Sequence, residues 1–394
     1  MSYYGLVLSA DAAAFLDRGA CELPLALAPA RDALEPGRPM RLLRPDGQAI
    51  GVALADPENE CLRLLARTDE RLESLDAAFF AGRVDRALAL RRGLGLIGDG
   101  AAYRLIHGAG DGLSGFTADV YADWAVVHVY ARAFVPFGRA IAEAILLRAR
   151  LKGAVVKLRA RGAASQGRVR QEIVGEAPPE KLVATERGLS FEVHLTAGFN
   201  AGLFTDMREH RHGLARFTAG RAVLNGFSYT GTLSVAAARA GAASVTSVDL
   251  SAGVLNWARD NFRLNGLDPA LPKYRFEADD VARFLQRASR ERARYDVVLL
   301  DPPTFSAARG AAFAIERDFP ALIADACRVL SRDGLLWLAS NTRDVSLLAI
   351  AEDAVSRAHR AAQVLETGGL PPDYPTVPAQ PADRYLQVML LRIA

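Results

Sequence analysis

Four apolar runs in the second half of the chain end in residues that could do chemistry. The run Val223-Leu224 enters Asn225-Gly226-Phe227-Ser228-Tyr229-Thr230-Gly231 and then a helical pattern. Glycines at such a strand-to-helix turn let backbone approach a ligand closely. The spacing is not GxGxxG and no phosphate-loop Lys follows, so dinucleotide or nucleoside triphosphate binding is less supported. The next run ends in Val248-Asp249-Leu250. A carboxylate there can accept two hydrogen bonds from a ribose diol, and it can also cap the helix that begins near Ser251. The third run ends in Phe276-Glu277-Ala278-Asp279-Asp280. One of these acids can accept from an adenine amino group while the other caps the following helix, and Asp280 is favoured for adenine. The fourth ends in Leu299-Leu300-Asp301-Pro302-Pro303-Thr304-Phe305. Two prolines after a buried strand fix the backbone and remove two amide donors. Asp301 and the Pro302 carbonyl then become rigid acceptors, and Phe305 can stack on a planar substrate. Together the spacings describe a cleft for an adenosine-bearing ligand without a phosphate grip, which suits S-adenosylmethionine better than NAD.

The elements that hold these residues follow from the hydrophobic pattern. From about Leu189 short apolar strands alternate with helices of 10 to 20 residues. Strands continuous in apolar character, with helices between them, predict a parallel sheet covered on both faces. The last run, Leu386 to Leu391, predicts an antiparallel strand at the edge of that sheet. Ahead of it lie a β-rich stretch to about residue 65 and a helix over about 69–92. A second α+β region then has strands near Tyr103, Phe116–Tyr121, Trp124–Tyr130 and Ala154–Leu158, and a helix over about 135–151. Arg159 to Arg170 holds four Arg and no acid, which reads as an exposed loop or a phosphate-contacting one. The expected division is 1–70, 71–190 and 191–394.

Composition narrows the classes. The 394 residues exceed what one hydrophobic core usually serves. With 51% hydrophobic and 24% charged residues the chain is a folding one, not a disordered one. A net charge of +3 excludes a histone-like polycation, so any nucleic-acid binding must come from local patches. Cys21, Cys61 and Cys327 form no CxxC and no disulfide framework, so a reducing compartment is expected and structural zinc is not. The start lacks the pattern of a signal peptide, and no run reaches the length of a membrane span. A cytoplasmic protein with no membrane or metal partner is expected, and a homodimer is compatible with the sequence.

Several of these stretches carry a resemblance. Tyr103–Tyr130, Gly202–Arg211, the Phe227–Gly231 turn, Asp249, Asp301–Phe305, Tyr374-Pro375-Thr376-Val377-Pro378 and Arg384-Tyr385-Leu386 are similar to the large-subunit (23S) ribosomal RNA methyltransferases. The resemblance covers nearly the whole chain and is strongest in the last 200 residues. It implies an α/β fold: a C-terminal Rossmann-like class I methyltransferase domain, preceded by a small α+β central domain and an N-terminal PUA-like RNA-binding domain. It implies S-adenosyl-L-methionine as cofactor, and 23S rRNA or a large-subunit assembly intermediate as partner. It also implies that Gly202-Leu203-Phe204-Thr205-Asp206-Met207-Arg208 folds over the cofactor, with Phe204 near adenine or the methionine chain and Asp206 and Arg208 in polar contacts. Asn225 occupies a position that varies in the family and receives no firm role.

The family holds more than one chemistry. Cytosine C5 is a poor nucleophile, so its methylation requires a Cys thiolate to add to C6 first. Members that do this carry a Cys after the fifth strand, where this chain reads Leu338-Ala339-Ser340-Asn341-Thr342-Arg343. They also show Gln-Lys-Thr-Gly where this chain has Phe199-Asn200-Ala201-Gly202. Ser340-Asn341, Asp301–Ser306 and Asn256-Trp257-Ala258 instead resemble the branch that methylates guanine N7. That atom owns a free lone pair, so alignment and exclusion of water can suffice. Asn341 could then hold the base edge, and Arg343 a flanking phosphate or O6. Competing readings are a cytosine enzyme with an unusual nucleophile, an amino-group methyltransferase, a small-molecule methyltransferase and a non-enzymatic assembly factor.

Overall fold

The computed structural model describes residues 4–29, 34–68, 75–159, 170–198, 200–303, 314–343 and 345–394. The chain divides into two compact units. One comprises residues 1–185, 193–201 and 372–383, and the other 186–192, 202–371 and 384–394.

The first unit contains two five-stranded sheets. One is built from β1 (Tyr4–Val7), β2 (Glu22–Pro24), β3 (Pro39–Leu43), β4 (Ala49–Asp56) and β5 (Cys61–Arg67), in the order β1-β3-β4-β5-β2. Helix α1 (Ala10–Asp17), capped by Ser9 accepting from the Ala12 amide, adds to a region whose pattern showed strands only. Its Ala-rich sequence carries little hydrophobic periodicity. The second sheet follows α2 (Ala77–Gly93). It comprises β6 (Ala102–His107), β7 (Phe116–Tyr121), β8 (Trp124–Val129), β9 (Gly153–Leu158) and β10 (Gln171–Gly175), with α3 (Val135–Ala149) joining the parallel pair β8 and β9. Phe80, Leu88, Leu105, Phe116, Phe134 and Ile141 form the core on its apolar face. Residues 160–169, most of the Arg-rich loop, lie outside the described residues.

After β11 (Leu182–Glu186) and β12 (Leu189–Val193) the second unit is wound about a seven-stranded sheet. Its strands are β13 (Ala222–Gly226), β14 (Ser244–Asp249), β15 (Tyr274–Ala278), β16 (Tyr295–Leu300), β17 (Leu330–Ser340), β18 (Ala362–Gly368) and β19 (Gln387–Ile393). They lie in the order β15-β14-β13-β16-β17-β19-β18, the first five parallel. The helices are α4 (Arg208–Gly213), α5 (Ala215–Thr218), α6 (Thr232–Arg239), α7 (Ala252–Leu264), α8 (Val281–Arg290), α9 (Ile315–Val329) and α10 (Leu347–Arg357). The predicted parallel sheet is present, with one correction. The C-terminal strand is antiparallel but not at the edge: β19 pairs with β17 on one side and β18 on the other. All seven residues of β18 are exposed, so it lacks the apolar run by which a buried strand is recognised.

Register decides what this sheet can position. Gly226 is level with Val248 on one side and Leu300 on the other. Asp249 and Asp301, each one residue further on, therefore flank the turn that begins after Gly226. The reversal of strand order at β13 opens the crevice where α/β sheets take ligands. Among the described residues no helix is long and apolar enough to cross a membrane.

Candidate active site

The turn after β13 is wound through left-handed backbone. Phe227 has φ +60° and Tyr229 φ +48°, and Gly231 follows at φ +73°. Each non-glycine residue there costs about 1–3 kcal/mol, which the surroundings must over-determine. Asp249 does so: its Oδ2 accepts from the Tyr229 amide at 2.9 Å and its Oδ1 from the Ser251 amide at 3.0 Å. The helix cap considered for Asp249 is provided by Ser251, whose hydroxyl accepts from the Val254 amide. A carboxylate has about four acceptor positions, so the two used here leave two for a diol. Below the turn, Asn225 is 1% exposed and donates to Ser234, which bonds Ser247. Asn225 thus supports the turn from inside the sheet. Gly226 is tightly enclosed: a Cβ would lie 2.9 Å from both the Leu300 and the Val281 side chains, which would have to shift to admit it. Ser228 is buried, and its hydroxyl has no partner among the described residues.

The segment from Gly202 to Met207 is fixed at both ends. Thr230 Oγ1 donates to the Gly202 carbonyl at 2.6 Å. Arg211 donates to the Phe204 carbonyl and forms a two-pronged pair with Glu186, both side chains 1% exposed. At Gly202 φ is +99°, and a Cβ would fall 2.2 Å from the Trp257 ring. Phe204, 44% exposed, lies 5.7 Å from Tyr229 between ring centroids, and Tyr229 lies 6.3 Å from Trp257. Asp206 accepts from the Tyr385 hydroxyl at 2.8 Å. Arg208 is buried and donates to Glu209. Burial raises the Glu209 carboxyl, but hydrogen bonds from Arg187 and Arg208 outweigh it and hold the group below its ordinary value.

At the end of β15 the two acids differ in their partners. Asp280 is the helix cap, accepting from the Arg283 amide at 3.0 Å, and Asp279 accepts from Arg287 at 2.8 Å. Asn256 is exposed on α7 and accepts from Arg259, and Leu250 is exposed. Asp301 is half-buried. Desolvation pushes its carboxyl up to about 7; the Asp206 charge raises it further and Arg211 lowers it. Pro302 is buried beside it, while Phe305 lies outside the described residues. Asn341 and Arg343 are exposed beyond β17, on a loop whose backbone is pinned by Gln387 donating to the Val345 carbonyl at 2.6 Å.

Sequence reasoning assigned no roles to Trp257, Arg211, Glu186 or Tyr385. Glu186 and Arg211 lie 25 positions apart, and no spacing announces their ion pair. Cys327 is fully buried in α9, where burial pushes its thiol up to about 11.

The geometry defines a class of protein, and comparison with known proteins agrees. A family model described as S-adenosylmethionine-dependent methyltransferase matches residues 104–392. The chain belongs to this family and is an S-adenosylmethionine-dependent methyltransferase. Among its relatives is the ribosomal RNA large subunit methyltransferase I of Shewanella denitrificans, 33% identical over 359 residues and 88% of each chain. A ribosomal RNA large subunit methyltransferase of Deinococcus radiodurans is 34% identical over 320 residues, 79% of this chain and 78% of its own. A solved candidate methyltransferase, SMU.776 complexed with SAH, superposes with a TM-score of 0.86 at 26% identity, covering 99% of this chain and all of its own. The residues present fit such a cofactor. The turn is strained into shape, Asp249 keeps acceptor capacity toward a diol, and Ser228 has a buried hydroxyl with no partner among the described residues.

Proposed function

We propose that the protein methylates a guanine nitrogen of 23S rRNA, N7 being favoured, by direct in-line transfer without a covalent adduct. The names of its relatives support the rRNA substrate. One observation carries the finer reading. The position after β17 is Asn341, and the one cysteine of the methyltransferase unit is a fully buried core residue whose thiol is held protonated. A thiolate cannot be supplied to C6 of a pyrimidine from there.

In this reading Asp249 receives the ribose hydroxyls, the 226–231 turn and Phe204 line the adenosine, and Asp206 and Arg208 order the segment above it. Bound S-adenosylmethionine supplies a methyl group on a sulfonium. The chain's task is positional: Asp301 and the Pro302 carbonyl present acceptors beside the reacting centre, while Asn341 and Arg343 hold the base. With no proton to remove from N7, alignment supplies most of the rate. The sheet over residues 4–67 is taken as the PUA-like RNA-binding module, residues 71–190 as the central domain and 191–394 as the methyltransferase domain.

The test is nucleoside mass spectrometry of rRNA from cells lacking the gene, complemented with wild type or Asp301→Ala. Loss of a methylguanosine, restored by wild type alone, supports the proposal. Loss of 5-methylcytidine, or covalent trapping on RNA containing 5-fluorocytosine, overturns it.

A further inference from the structure

The loop that follows β17 carries Asn341 and Arg343, and much of what holds it comes from elsewhere in the chain. Residues 341–346 join Ser340, the last residue of β17, to Leu347, the first of α10. Ser340 Oγ accepts from the Thr342 amide at 3.3 Å, and Ser346 Oγ accepts from the Ala349 amide at 3.3 Å as the cap of α10. Those bonds secure the two ends. Between them, the carbonyls of Thr342 and Val345 share one partner, the side chain of Gln387.

Gln387 opens β19 and is the register partner of Ser340. Its amide nitrogen donates to the Val345 carbonyl at 2.6 Å and, in a longer contact, to the Thr342 carbonyl at 3.4 Å. Its amide oxygen accepts from the Leu347 backbone amide at 3.1 Å. A side-chain amide offers two N–H donors and one carbonyl, and here all of them are engaged on this loop. Neither loop carbonyl has another hydrogen-bond partner among the described residues. Side chains of similar length do not replace it. Methionine bonds nothing, and a carboxylate would set oxygen against oxygen at two points.

The same stretch of chain reaches the segment over the cofactor. Two residues before Gln387, the Tyr385 hydroxyl donates to Asp206 at 2.8 Å. Beyond the larger effect of burial, the Asp206 charge raises the Asp301 carboxyl, which puts the two acids in one neighbourhood. Leu300 is level with Leu338 of β17, so Asp301 is level with Ala339. Asn341 lies two residues further on, and the loop therefore leaves the sheet at the end where Asp301 stands.

We propose that Gln387 is a positioning residue for methyl transfer: its side-chain amide fixes the loop that presents Asn341 and Arg343 to the base, while Tyr385 ties the same stretch of chain to the segment over the cofactor. The proposal rests on the reading above, in which those two side chains hold the base. In-line transfer needs the acceptor atom aligned with the methyl carbon, and a displacement of about 1 Å can cost about a hundredfold in rate. One short piece of backbone thus sets the acceptor side against the donor side. Gln387 touches neither reactant and acts through the loop.

The test uses the full chain, as wild type, Gln387→Met and Gln387→Glu, with rRNA from cells lacking the gene. Single-turnover methyl transfer is measured at saturating cofactor, cofactor affinity by calorimetry, and the product base by nucleoside mass spectrometry. Gln387→Met should slow transfer about tenfold to a hundredfold while cofactor affinity stays within about twofold. Gln387→Glu should be slower still near about pH 8, where the introduced carboxylate faces two carbonyls. It should regain rate relative to wild type toward about pH 6, as the protonated carboxyl donates again. A folded Gln387→Met protein with the wild-type rate overturns the proposal. So does a rate loss matched by an equal loss of cofactor affinity, or a Gln387→Glu rate in fixed proportion to wild type across that range. Transfer to a base other than guanine overturns the guanine reading, and the variant rates still decide the role of Gln387. Wild type that methylates no rRNA overturns the rRNA reading and this proposal with it.

Discussion

Asp301 offers a prediction whose size and sign both follow from its surroundings. Its carboxyl is carried from an ordinary 3.8 to about 7, chiefly by desolvation and then by Asp206. The folded protein therefore holds a proton there that the unfolded chain has released between about pH 4 and 7. Stability falls as pH rises through that window, and the full penalty is present above it. The displacement sets a ceiling of about 4 kcal/mol. Asp301 is only half-buried, so water shares the charge and about 2 kcal/mol is expected in the cofactor-free protein. Asp301→Asn removes the charge and keeps the shape. Its melting temperature should exceed that of wild type by about 4–8 °C at pH 8, and the gap should close near pH 4.5. The assay is thermal unfolding of both proteins over that pH range, where other titrating groups cancel in the difference. Equal melting temperatures at pH 8, or a gap independent of pH, would refute the claim that this acid is held against its own ionisation. Methyl transfer should be lost in the same variant.

Three further outcomes are expected. Arg211→Met leaves Glu186 charged and buried, so it should cost about 3–5 kcal/mol in denaturant unfolding, and adding Glu186→Met should recover much of the loss. Gly202→Ala puts a Cβ 2.2 Å from Trp257 at a positive φ, so cofactor affinity measured by calorimetry should fall at least tenfold. Cys327→Ala removes a sulfur from a packed core, so it should lower stability by about 1–2 kcal/mol while single-turnover methyl transfer stays within about twofold.

What could be read from residues alone was set by burial. The strands that carry Gly226 and Asp301 are buried along nearly their whole length, because both faces of a parallel sheet are covered. Their ends, and so the acids in the cleft, are visible in the pattern. The exposed edge strand Ala362–Gly368 shows no such run, and its absence from the pattern misplaced the final strand. Of the site, the glycine turn and Asp249 were legible because backbone geometry restricts residue type there. The choice between Asp279 and Asp280 was not, because either acid can serve as a cap and only the hydrogen bond to Arg283 decides. Trp257 was hidden for another reason: its closeness to Gly202 depends on how the chain returns, not on spacing.

The placement of β19 between β17 and β18 bears on biosynthesis. Residues 372–383 complete the first unit, and Gln387–Ile393 are threaded into the sheet of the second. A nascent chain emerging from the ribosome can close neither unit until this stretch has cleared the exit tunnel. Until then β17 is bare along the side that β19 will take, and Leu336, Trp337 and Leu338 are open to chaperones or to aggregation.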